Sequence, residues 1–126
     1  MPFARRTFRL AGIYGLLVLV PQYVLETPLG AGLPGLPLTH PEHFYGFVGV
    51  AIAWQVLFLM IARDPARLRP AMLPAVLEKV AFGVAAVALF AAGRVPAFIA
   101  AAGAVDLALA AAFWIAYRRT PDRWPQ

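Results

Sequence analysis

The chain has 126 residues, of which 62% are hydrophobic and 13% charged, and its formal net charge is +5. Soluble domains are about half apolar and about a quarter charged, so this composition predicts an integral membrane protein. The absence of cysteine excludes disulfides and thiolate metal sites. The basic residues lie between apolar runs rather than along one stripe, so we expect no nucleic-acid partner.

Four apolar segments predict transmembrane helices at about residues 8–25, 44–62, 72–92 and 96–117. Each is close to the roughly 20 residues that a helix needs to cross about 30 Å of hydrocarbon. The connections are an outer loop over residues 26–43, an inner loop over residues 63–70 and a short link before the last segment. The predicted fold is all-α, a single transmembrane domain over residues 1–126 folded as an up-down four-helix bundle.

The arginines predict how this bundle is oriented. Nine of the ten arginines lie before or at the very start of the first segment, between the second and third, or after the fourth, and only Arg94 lies elsewhere. Because cytoplasmic loops are enriched in basic residues, we expect both termini on the cytoplasmic side of the membrane. The ARRTFR stretch with Arg5 and Arg6 also resembles a twin-arginine export signal, but three further spans and the lack of a small-residue cleavage site disfavour that alternative.

Two connections carry signals for helix starts. The stretch Thr39-His-Pro-Glu42 predicts a capping box that opens the second helix, with Pro41 in its first turn. The inner connection RDPARLRP predicts a short helical turn, with Asp64 as its cap and Pro65 as its first residue.

The histidines are candidate metal ligands. His40 and His43 are spaced i, i+3 beside Glu42, but zinc sites use three or four ligands and the sequence offers no further histidine or cysteine. Haem held between helices would need a facing histidine from another segment. We therefore expect an exposed helix start, without a metal or other cofactor.

Polar residues within the spans form the predicted site. Asp106 lies in the middle of the fourth segment. An acid at such a position suggests a binding or proton-transfer role, and the alternative is a structural ion pair. Its small neighbours would let another helix approach and bury it. Counting residues from the arginines predicts one polar layer in the inner leaflet, with Trp54 lining its apolar part. The layer consists of Tyr14, Gln55, Glu78, Lys79 and Asp106.

Glu78 and Lys79 admit two interpretations. If the third helix begins at Pro70, both residues belong to the buried layer; if it begins at Pro74, they form an interfacial anchor and Lys79 reaches the headgroups. Adjacent residues are about 100° apart on a helix, so the two cannot share one face. Since side chains lean toward the helix N-terminus, a contact between Lys79 and Asp106 requires Lys79 to stretch outward.

The run WQVLFLMIARDPARLRPAMLPAVLEKVAFG, together with four spans and both ends inside, resembles the DoxX-like and BphX-like groups of small bacterial membrane proteins. The resemblance covers the architecture of the whole chain and assigns no site residue. We expect a non-enzymatic protein, either an accessory subunit or a binder of a small hydrophobic ligand such as a quinone, lipid or sterol-like molecule. Expected partners are membrane lipid, that ligand, and further copies of the chain or a membrane complex. The alternatives are a small proton-coupled transporter using Asp106 and Glu78, and an enzyme with an embedded acid/base pair.

Overall fold

The computed structural model describes residues 2–24 and 40–122, and this part of the chain is helical apart from its turns. The helices are α1 (Pro2–Val24), α2 (Pro41–Arg63), α3 (Met72–Ala91) and α4 (Ala97–Arg119). All four are long and apolar enough to cross a membrane, with α3 extended by the turn that precedes it. The prediction of an all-α chain with four candidate spans is confirmed.

Two helices begin earlier than the predicted spans because prolines start them. Proline fits the first turn of a helix, where its missing N–H leaves no hydrogen bond unmade. α1 begins at Pro2 and α2 at Pro41, where the His40 carbonyl accepts hydrogen bonds from the N–H groups of His43 and Phe44 at 3.1 and 3.2 Å. Most of the predicted outer loop, together with Thr39 of the capping box, lies outside the described residues.

The inner connection forms the predicted turn. The Arg67 N–H donates to Asp64 Oδ1 at 3.3 Å, and the Leu68 N–H donates to the Asp64 carbonyl at 3.1 Å, so Asp64 caps it as predicted. A 3₁₀ turn over Arg69–Ala71 then leads directly into α3. Pro70 lies in the 3₁₀ turn and Pro74 in the first turn of α3, so the helical path already begins at Arg69.

The chain divides into two compact units, Met1–Phe8 with Met60–Gln126, and Arg9–Leu59. In the first unit α3 packs along α4. The buried residues of each helix recur every three or four positions and form one stripe, as the helical repeat requires. The stripe of α3 is Met72, Ala75, Lys79, Gly83 and Ala86, and that of α4 is Gly103, Asp106, Ala110, Phe113 and Ala116.

Two glycines bring the backbones of α3 and α4 close together. A methyl group built on Gly83 would lie 2.9 Å from the Gly103 carbonyl oxygen, and one built on Gly103 would lie 3.1 Å from the Gly83 carbonyl oxygen. Such distances are shorter than ordinary van der Waals contact, so neither position accepts a side chain without displacing the other helix. Small residues at a helix interface allow this approach in membrane proteins.

Arginines tie helix ends together within the first unit. Arg5 Nη1 donates to the Arg63 carbonyl at 2.8 Å, which joins the start of α1 to the end of α2. Arg69 Nε donates to the Tyr117 carbonyl at 3.2 Å, and its guanidinium lies 3.9 Å from the centre of the Tyr117 ring. The second contact joins the turn before α3 to the end of α4 and combines a hydrogen bond with a cation–π interaction.

Aromatic contacts link these two pairs of ends. The rings of Phe8 and Phe113 stack with their centres 4.1 Å apart, and both residues are fully buried. The Arg119 guanidinium lies 5.1 Å from the centre of the Phe3 ring. Both contacts join the start of α1 to the last turns of α4. The beginnings of α1 and α3 and the ends of α2 and α4 therefore meet, which is the arrangement that alternating spans require.

Candidate functional site: a charged cluster between α3 and α4

Lys79 lies in the contact between α3 and α4 and bonds an acid from the facing helix. Its Nζ donates to Asp106 Oδ1 at 3.3 Å, across 27 positions of sequence. The Lys79 side chain is 4% exposed. Lys79 lies seven residues beyond Met72, about 10 Å along the helix axis. Of the two interpretations of this residue, the structure agrees with the buried one, because the amine faces α4 rather than the protein surface.

The small residues around this pair explain why it forms. Gly83 follows Lys79 by one turn on the same stripe, and Gly103 precedes Asp106 by one turn. Because the backbones approach closely at these glycines, the lysine amine and the carboxylate reach each other across the seam. Asp106 was predicted to be buried by its small neighbours, and its residue exposure of 9% confirms this.

Glu78 lies beside the pair, at the edge of the seam. Its Oε2 is 3.8 Å from Lys79 Nζ, which is an ion-pair distance but too long for a hydrogen bond. That oxygen is buried and has no hydrogen-bond partner within residues 2–24 and 40–122. Pro74, Ala81 and Ala85, which share its face of α3, are exposed.

The charges of the cluster do not balance. With both carboxylates ionised and the amine protonated, two negative charges face one positive charge. Breaking up such a buried arrangement is costly, because a charge left alone in a low-dielectric interior loses its solvation. The Lys79–Asp106 pair is therefore the structural part of the cluster. Glu78 retains an acceptor oxygen that can take a hydrogen bond from a ligand or can take a proton.

The other predicted site residues lie in the Arg9–Leu59 unit. Gln55 is 1% exposed, and its Nε2 donates to the Ala51 carbonyl at 2.9 Å. Tyr14 is 39% exposed on the outside of α1. Trp54 is half-buried, with its ring 6.3 Å from that of Phe58. Of the six predicted residues, the structure joins Glu78, Lys79 and Asp106 into one cluster.

The Gln55 side chain fills a space left by a glycine. A methyl group on Gly15 would overlap the Gln55 side-chain amide. The Oε1 of Gln55 is buried without a hydrogen-bond partner among the described residues. The Gln55 amide therefore occupies the space that a Cβ at Gly15 would fill, so α1 and α2 touch at this point. This supports the role of interhelical contact that a glutamine in a span usually has.

The sequence did not single out two glycines that pack against predicted site residues, Gly83 in the seam beside Lys79 and Gly15 against Gln55. The available signal was their presence in otherwise good helix-forming segments, where glycine costs about 1 kcal/mol relative to alanine and needs a packing reason. No family model, curated protein or solved structure matches the chain.

Proposed function

We propose that this multi-pass membrane protein binds a small, largely hydrophobic ligand at the α3–α4 cluster and performs no chemistry on it. The observation that supports this is the buried acceptor oxygen of Glu78 beside an amine already bonded to Asp106. Sites for small hydrophobic molecules combine apolar walls with a few convergent polar groups. Phe82, half-buried one turn beyond Glu78, provides an apolar wall on the same helix.

The Glu78 carboxylate oxygen determines which polar group the ligand must carry. A carboxylate only accepts hydrogen bonds, so the ligand must present a donor such as a hydroxyl or an ammonium group. A sterol-like alcohol or an amino lipid meets this requirement. Quinone oxygens only accept and would need one of the two remaining N–H donors of Lys79, whose amine bonds Asp106 at 3.3 Å and whose side chain is 4% exposed. Among the ligand classes expected from the sequence, the donor-bearing ones therefore fit best.

We also propose a bacterial cytoplasmic membrane as the location, with both termini on the cytoplasmic side. The joined helix ends of the first unit support this, because many arginines gather there beside only two acids of the described residues, Asp64 and Asp122. Basic residues favour the cytoplasmic side. The arginines are Arg5, Arg6, Arg63, Arg67, Arg69, Arg118 and Arg119. A place in a homo-oligomer or membrane complex, and membership of the DoxX-like or BphX-like groups, stay predictions.

Co-purification tests the ligand proposal. The wild-type protein, Glu78→Gln and Asp122→Asn are purified in the same mild detergent, and retained small molecules are identified by mass spectrometry. Asp122→Asn is the matched control, since it neutralises an acid outside the spans. A hydrogen bond to a charged group is worth about 1.5–3 kcal/mol, so Glu78→Gln should retain about 10–100-fold less ligand.

The result to expect is a hydroxyl- or amine-bearing molecule, enriched over bulk phospholipid in the wild type and the control. Equal recovery from all three proteins would place binding elsewhere. The recovery of bulk lipid alone, even from native membranes, would remove the basis for a ligand-binding role.

The unbalanced charge favours proton-coupled transport as a second candidate function. One proton on the Glu78–Asp106 pair of acids would neutralise the cluster, and intramembrane acids commonly take part in proton relays. In proteoliposomes with a trapped pH indicator, movement of the co-purified molecule should then be accompanied by proton movement. Glu78→Gln and Asp106→Asn should uncouple the two fluxes. Ligand movement without a pH change in the wild type would argue against coupling while leaving ligand binding intact.

A further inference from the structure

Three potential metal ligands converge at the start of α2. The ligand atoms of His40, Glu42 and His43 all lie within 4.8 Å of one another. His40 Nδ1 is 3.5 Å from Glu42 Oε1, and the centres of the two imidazole rings are 5.2 Å apart. The turn that starts the helix produces this arrangement, because His40 precedes α2 and its carbonyl accepts from the N–H of His43.

These distances suit a shared metal ion. Any three atoms within 4.8 Å of one another lie no more than about 2.8 Å from a common point, and zinc binds nitrogen and carboxylate oxygen at about 2.0–2.2 Å. Each ligand therefore needs to move by less than about 1 Å to reach the ion. All three side chains are exposed, so rotation about their own bonds can supply that movement.

The donor set identifies the class of ion. Two imidazole nitrogens and one carboxylate oxygen suit zinc and its first-row neighbours, whereas calcium and magnesium prefer oxygen ligands only. Zinc sites with three protein ligands keep a fourth position for water or another donor. The sequence analysis expected no metal because it found no further histidine or cysteine, whereas the structure brings the Glu42 carboxylate within reach of both histidines as a third ligand.

We propose that His40, Glu42 and His43 bind a divalent transition-metal ion of the zinc class, with one coordination position open. The site lies at the opposite end of α2 from Arg63, 23 residues or about 35 Å along the helix. With α2 spanning a membrane as proposed, the site would face the aqueous phase on the side away from Arg63. This inference does not depend on the proposed ligand at Glu78.

Metal titration tests the site. The protein is purified without a histidine tag in a non-ionic detergent, in buffer free of phosphate and chelators. Zinc binding is measured by calorimetry, and cobalt(II) is titrated as a spectroscopic probe whose visible absorption reports nitrogen and oxygen coordination. We expect one ion per chain, displacement of cobalt by zinc, and no displacement by millimolar magnesium.

Variants assign the ligands. His40→Ala, His43→Ala and Glu42→Gln should each weaken zinc binding at least tenfold, while Asp122→Asn, a matched acid-to-amide change, should leave it unaltered. Thermal melting of each metal-free variant checks that α2 still folds, and His43→Gln offers a milder replacement if His43→Ala does not. Unchanged affinity in the His40→Ala/His43→Ala double variant, or no binding by the wild type at millimolar zinc, would overturn the proposal. Unchanged affinity in Glu42→Gln would overturn the three-ligand site.

Discussion

Gly103→Ala places one methyl group in the closest part of the contact between α3 and α4. The new carbon would lie 2.7 Å from the Ala86 Cβ and 3.1 Å from the Gly83 carbonyl oxygen. Carbon atoms that are not bonded rest about 3.5–4.0 Å apart. The two helices must therefore separate by about 1 Å at this point. The Lys79–Asp106 contact, one turn away, would lengthen from 3.3 Å beyond the distance at which its hydrogen bond forms.

The expected cost has three components. Overpacking a closely packed interface costs about 1–3 kcal/mol, and the loss of a hydrogen bond between charged groups costs about 1.5–3 kcal/mol. Alanine offsets about 1 kcal/mol of this, because it favours the helical state more than glycine does. The net decrease in the free energy of unfolding should be about 1.5–5 kcal/mol.

The assay is unfolding of the purified protein in mixed micelles with increasing SDS, followed by tryptophan fluorescence and circular dichroism. Gly46→Ala is the matched control, since it makes the same substitution within a helix. A methyl group at Gly46 would have nothing within 4 Å, so this variant should equal the wild type or exceed it by up to about 1 kcal/mol. If Gly103→Ala proved as stable as Gly46→Ala, the close approach of α3 and α4 would be refuted, and with it the explanation given for the buried ion pair.

Three further variants test the packing and the ion pair in the same SDS assay. Gly15→Ala should destabilise the protein because its methyl group would overlap the Gln55 amide, and the Gly15→Ala/Gln55→Ala double variant should regain most of the loss; additive losses would count against the contact. Phe113→Ala removes a fully buried ring and should lower the free energy of unfolding by about 3–5 kcal/mol. Phe113→Leu should lower it by much less. Lys79→Met leaves two buried acids without their amine and should cost about 3–5 kcal/mol. Adding Asp106→Leu to Lys79→Met should recover part of that loss. A double variant with a lower free energy of unfolding than Lys79→Met alone would contradict the pairing.

The spans were predictable because their signal accumulates over many residues. Hydropathy is summed over about 20 positions of each segment, and the placement of nine arginines does not depend on any single contact. The cap at Asp64 was predictable for a related reason, since a capping residue and the turn that it starts are neighbours in sequence.

The contact between Lys79 and Asp106 could not be chosen from sequence. The faces that carry Glu78 and Lys79 are both lined mainly by small residues, so spacing along α3 does not show which face meets α4. That choice depends on the rotation of each helix, which is fixed by the glycine contact between Gly83 and Gly103. The sequence also could not decide whether the third helix begins at Pro70 or at Pro74. Each alternative took one of the two prolines as the first residue of the helix. In the structure Pro70 and Pro74 both lie within helical turns.

The short link between α3 and α4 has a consequence for how the chain enters a membrane. Only residues Ala92–Pro96 separate the two helices, and Gly93 turns the chain with a φ of 73°. A lysine or an aspartate at the centre of an isolated span adds about 2.5–3.5 kcal/mol to the free energy of insertion. Each helix carries the partner that neutralises a charge of the other, so in a membrane the two would be more easily inserted as one hairpin than as successive spans. We therefore expect the ion pair that holds α3 against α4 to favour their joint entry into a bilayer as well.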